Sequence, residues 1–96
     1  MTGKIVSSPL PSTPNNHAAH DYAERIRARL PRRLQELREA AGLSKYALAK
    51  KSGVSRDMVG CIEEGESIPT LHVSARLAYG VDLTLTEFVG PLEDTD

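Results

Sequence analysis

The stretch ALAKKSGVSRDMVGCIEEG, residues 47–65, decides how the chain folds. Gly53 divides two short helix-forming runs, and a glycine there supplies the positive φ that a tight turn needs. Ser55 is suited to capping the second run, and Gly65 ends it. Before the turn, Ala49 offers a small side chain where two helices cross. After it, Val59 and Ile62 stand three apart, as a single inward face requires, and Leu48 and Val54 complete a small core. The first of the two helices is predicted over 45–52, with Ser44 as its N-cap.

Working outward, Tyr22, Ile26, Leu30, Leu34, Leu37 and Ala41 recur at steps of four and three, one apolar face of a helix that Gly42 ends. Asp21 and Glu24 have the spacing of a capping box at its start. Pro31 lacks a backbone N–H and disfavours helix at Leu30, so a kink or a break is expected there; one helix or two sharing a stripe both fit. Downstream, SIPT reads as a loop. Pro69 or Thr70 opens a fourth helix carrying Leu71, Ala75, Leu77, Ala78 and Val81. Thr84 and Glu87 then cap a short fifth helix with Leu85, Phe88 and Val89 on its apolar side. No strand pattern appears. The chain is expected to be all-α, with a disordered arm over 1–20, a helical domain over 21–90 and an acidic tail over 91–96.

Composition narrows the possibilities. Ninety-six residues make one small domain, which buries only about 60% of the surface its unfolded chain exposes. Cys61 is the only cysteine, so no intrachain disulfide can staple it, and its place in a helical run suits a reducing, cytoplasmic setting. No run approaches the roughly 18 apolar residues of a membrane span, and the first residues carry no leader signature. The net charge of −1 conceals a division. Residues 21–60 hold ten Lys or Arg against five acids, whereas residues 61–96 hold Arg76 alone against eight acids. The basic half can meet phosphate and the acidic half is then expected to face elsewhere, while charge alone fits a set of solvated helix faces as well or better.

Two helices crossing at roughly 90–120° about a glycine turn form a helix-turn-helix. The segment LQELREAAGLSKYALAKKSGVSRDMVGCIEEGESIPTLHVSARLAYGVDLTLTEF, Leu34 to Phe88, resembles the lambda-repressor-like (XRE/Cro-type) helix-turn-helix domains. The resemblance implies five helices, binding to double-stranded operator DNA as a homodimer, and a recognition helix starting near Ser55. Carried over by position, it puts Arg56, Asp57 and Cys61 at base edges, with Ser44, Lys45, Ser55, Met58 and Lys50 near the DNA backbone. Arg56 is the strongest base reader, because a guanidinium can donate two bonds to guanine and discriminate by about 1–3 kcal/mol. Asp57 can accept from a cytosine amine. For Cys61, a thymine-methyl contact, a redox sensor and a small bystander are all open. Gly60 either permits close backbone approach or is simply tolerated.

The resemblance also implies an ion pair between Arg38 and Glu63, fixing the first helix against the third. Glu64 stands where such domains often carry a basic or amide residue, which lowers the expected affinity, and Ser74 stands where they usually bury leucine. Leu83, Leu85, Phe88 and Val89 exceed what a tiny helix needs internally, so they are expected at a dimer interface. His17, His20 and His72 are scattered, and no metal cluster, Gly-rich phosphate loop or nucleophile motif is present; no enzymatic activity, metal or cofactor is expected. The expected function is a sequence-specific transcriptional regulator that inserts its recognition helix into the major groove of a twofold-symmetric operator. The alternative is an antitoxin-like or other protein-interaction module whose acidic half docks a basic partner such as a toxin, with DNA binding secondary.

Overall fold

The computed structural model describes residues 17–93. Five α-helices follow in order: α1 (His17–Ala40), α2 (Lys45–Ser52), α3 (Arg56–Glu63), α4 (Leu71–Gly80) and α5 (Leu85–Val89), then a single 3-10 turn over Gly90–Leu92. No strand occurs among the described residues.

Local chemistry sets the helix boundaries. Ser44, Ser55, Thr70 and Thr84 each sit in extended backbone before a helix and accept from the amide three residues on. Each cap satisfies one of the amides that a helix start leaves without a partner. Thr84 and Glu87 complete a reciprocal capping box. Gly53 adopts φ 74°, and its own N–H returns to the carbonyl of Ala49 to close α2.

The core is one cluster drawn from every helix. Leu34, Leu48, Val59, Ile62, Leu77 and Phe88 lie fully inside it, with Leu30, Val54, Ala78, Val81 and Leu92 around them. α2 packs against α3 and α4, while α1 packs against α3 and the final 3-10 turn. Gly80 permits the close approach of α4 to α2: a Cβ there would collide with Leu48 and press on Ser52.

Several expectations change. α1 is already helical at His17, so residues 17–20 are part of that helix and Asp21 is an exposed interior residue, not a cap. The Ala18-Ala19 pair offers nothing that would stop the helix. The rest of the arm expected over 1–20 lies outside the described residues. Pro31 neither breaks α1 nor ends it. Leu30 and Leu34 are buried on either side and hold the helix through the missing bond. The acidic tail begins later than Pro91, because Leu92 is buried in the core; residues 94–96 lie outside the described ones. In α4 the inward residues are Ser74, Leu77 and Ala78, whereas Leu71 is 73% exposed and Ala75 points outward. Phe88 is wholly buried, which removes it from any dimer interface; a five-residue helix needed one large side chain to anchor it.

The first helix supplies that C-terminal segment with anchors. Arg33 donates from Nε to the Phe88 carbonyl at 3.0 Å and from Nη2 to the Glu87 carbonyl at 2.8 Å. Arg29 donates to the Leu92 carbonyl at 2.8 Å. Tyr22 donates to the Glu93 carboxylate at 2.8 Å. A cationic fork on the last carbonyls of a helix satisfies groups that would otherwise lack partners and opposes the negative end of its dipole. Two arginines in the basic half thus serve packing.

Candidate nucleic-acid interface

The two faces of α3 are sorted by its caps and its apolar residues. Val59 and Ile62 are fully buried. Arg56 and Asp57 in the first turn point to solvent, with Gly60 and Cys61 half-buried one turn later. Arg56, Asp57, Gly60, Cys61 and Glu64, joined by Lys45 from the start of α2, line one shallow concavity of about 390 Å³. The three expected base readers therefore share a surface with one expected phosphate contact.

Ser44 and Ser55 hold the starts of both helices. The Ser44 hydroxyl accepts from the Ala47 amide at 3.0 Å, and the Ser55 hydroxyl accepts from the Met58 amide at 3.1 Å. Other first-turn amides have no partner within an α-helix, and they carry the positive end of its dipole. Such ends attract phosphate. The Met58 amide is occupied by Ser55, so Met58 can offer DNA only its 37% exposed side chain. Lys50 is outside the concavity; its ammonium lies 5.6 Å from the ring centre of the exposed Tyr46.

The support beneath α3 is an ion pair. Arg38 donates from Nε to one Glu63 oxygen at 2.7 Å and from Nη2 to the other at 3.0 Å, while Nη1 reaches the Leu43 carbonyl at 2.9 Å. The side chains are 11% and 5% exposed. The bonds to Glu63 raise the pKa of Arg38 above its ordinary value, with burial opposing them. One guanidinium thus ties α1, the turn before α2 and the end of α3 into a fixed frame. Bidentate pairing adds direction as well as strength.

The turn between α2 and α3 has further supports that the sequence did not reveal. The Ser52 hydroxyl accepts from the Val54 amide at 3.2 Å, just past Gly53. Arg76, from α4, donates to the Ser52 carbonyl at 3.2 Å and lies where a side chain on Gly53 would fall. Its Nε donates to His72 Nε2 at 3.0 Å. The isolation of Arg76 in an acidic half was the available signal, since a solitary base there needs a reason.

Acidic residues are distributed by role. Glu63 serves the ion pair, Glu87 the capping box, and Asp82 lies 3.6 Å from Lys51. Glu64 and Glu66 remain exposed at the end of α3. Their charges, after burial as the leading cause, raise the pKa of the Cys61 thiol. A thiol held protonated is a poor nucleophile. Among the described residues no group of His, Cys, Asp and Glu is placed to hold a metal ion, and no helix is long and apolar enough to cross a membrane.

Comparison with known proteins places this geometry. A family model described as a helix-turn-helix domain matches residues 29–88. The chain is 38% identical over 58 residues to the HTH-type transcriptional regulator SutR of Escherichia coli K12, covering 60% of this chain and 33% of that protein. It superposes on an HTH_3 family transcriptional regulator from Vibrio cholerae with a TM-score of 0.64 at 35% identity, over 69% of this chain and 37% of that one. It superposes also on the restriction-modification controller protein C.AhdI from Aeromonas hydrophila, with a TM-score of 0.61 at 37% identity over 70% of this chain and 98% of that one. The chain thus spans about a third of the two longer regulators and nearly all of the controller protein's chain.

Proposed function

The chain belongs to the helix-turn-helix domain family, in its lambda-repressor-like branch, and from that premise we propose that it is a sequence-specific DNA-binding transcriptional regulator. The observation that carries this reading is the shared concavity: Arg56, Asp57 and Cys61 from α3 beside Lys45 from α2. α3 enters the major groove, Arg56 reads guanine, and Lys45 with the capped helix starts holds the phosphates. Two copies meet successive grooves about 34 Å apart on a twofold-symmetric operator. Asp57 and Glu64 repel phosphate wherever they have no base donor to accept from, so these carboxylates favour selectivity over raw affinity.

The similar proteins agree with this role, since two are named as transcriptional regulators and a third as a restriction-modification controller. The antitoxin-like reading requires an acidic surface for a basic partner. Glu63 is withdrawn into its ion pair, whereas Glu64, Glu66, Asp82, Glu87 and Glu93 stay exposed, so an acidic surface for such a partner is present and this remains the second reading.

Binding measured across a salt series on wild type and two variants tests the assignment. Lys45→Ala weakens all sequences alike and lowers the salt slope by about 1, whereas Arg56→Ala relaxes preference at one base position, costing about 1–3 kcal/mol there. An unchanged profile in both variants would refute the assignment.

A further inference from the structure

Ser52, the last residue of α2, fastens the turn in two directions. Its hydroxyl accepts from the Val54 amide at 3.2 Å, across the turn, and its carbonyl accepts from Nη1 of Arg76 in α4 at 3.2 Å. The last carbonyls of a helix have no partner within it, and a cation there also opposes the negative end of the dipole. Between these two bonds lies Gly53 at φ 74°, and the Arg76 guanidinium fills the space that its missing side chain leaves. Gly53 is where the chain changes direction from α2 to α3, and only Val54 separates it from the N-cap Ser55.

α3 is thus held differently along its length. Arg38 grips Glu63 at the far end, Val59 and Ile62 are buried in the middle, and the entry end inherits its direction from the turn. Arg56 and Asp57 stand three and four positions after Gly53, so a small rotation at the turn is carried directly into their placement. Recognition needs such side chains held to within about 0.5 Å. Arg76 is suited to set that placement without holding up the domain. It is exposed, belongs to no part of the apolar core, and leaves no buried charge behind when removed. Its Nε donates to His72 Nε2 at 3.0 Å, one turn back along α4, which fixes the guanidinium plane. It does not line the concavity shared by Lys45 and α3.

We infer that Arg76 is a positioning residue for DNA recognition: with no contact to DNA, it sets the angle at which α3 leaves the turn, and so the placement of Arg56 and Asp57 in the groove. The role deepens the reading of α3 as the recognition helix, and rests on that reading for its effect on DNA. Loss of the guanidinium therefore acts on binding through the turn and not through charge.

Amide hydrogen exchange on the full chain without DNA tests the first step. Arg76→Met keeps the stem and removes the donors. It is expected to speed exchange at Gly53 and Val54 about tenfold, for the loss of one charge-assisted hydrogen bond, with Val59, Leu77 and Phe88 unchanged. Affinity across a salt series, on a duplex recovered by selection from a random pool, tests the second step. Arg76→Met is expected to bind about tenfold more weakly with the salt slope of the wild type, whereas Arg76→Lys, which keeps a donor for the Ser52 carbonyl, recovers most of both losses. Unchanged exchange at the turn, faster exchange throughout the core, wild-type affinity in Arg76→Met, a slope lowered by about 1, or equal losses in both variants would each overturn the inference. Recovery of no duplex by the folded wild type would count against the operator reading, and the exchange measurement would still decide whether Arg76 holds the turn.

Discussion

On its inner side α3 is fastened wherever it touches the rest of the molecule: Val59 and Ile62 are fully buried, and Glu63 holds Arg38 by two bonds. On its outer side, Arg56, Asp57 and Glu64 are exposed, and Gly60 offers no side chain at all. The contrast separates what the fold consumes from what it holds ready. Inner groups stabilise the domain; outer ones add little to it and gain their value only against a ligand. A preorganised support with an uncommitted surface is the arrangement recognition requires.

The largest effect should come from unbalancing the inner side. Glu63→Ala leaves the Arg38 guanidinium buried without its partner and is expected to destabilise the domain by about 3–5 kcal/mol in urea unfolding. A loss below about 1 kcal/mol would mean that water reaches the pair as it reaches a surface bridge. Two glycines then sharpen the contrast with opposite signs. Gly53→Ala forces an L side chain into φ 74° against Arg76 and is expected to destabilise by about 1–2 kcal/mol. Gly60→Ala meets open space on the outer side of α3 and is expected to stabilise by about 1 kcal/mol, read from the same unfolding curves. If both destabilised, Gly60 would belong to the packed side, and the division of α3 would be wrong.

Much of this architecture was legible in the sequence because its signals are local. The span of α2, the caps at Ser44 and Ser55, the turn at Gly53 and the capping box at Thr84 each depend on residues within four positions of one another. The inward face of α3 was legible too, since the spacing of Val59 and Ile62 fixes which of its residues turn to the core. The roles of Arg29, Arg33 and Arg76 were not. Their partners are backbone carbonyls at Leu92, Phe88, Glu87 and Ser52, and a carbonyl belongs to every residue, so nothing in the side-chain pattern marks it. Charge along the chain therefore suggested a free basic half where the fold spends several of its arginines. The direction of Phe88 failed for a different reason, because α5 is too short for periodicity to define an inward face.

The most direct test of the central claim is selection of bound duplexes from a random pool by the wild-type chain near physiological salt, followed by sequencing. The expected result is enrichment of a site with two symmetric halves, each holding a guanine whose preference disappears when Arg56→Ala is used in the selection. Recovery of unenriched sequences by protein shown to be folded would contradict it, and would mean that the exposed side of α3 does not read DNA.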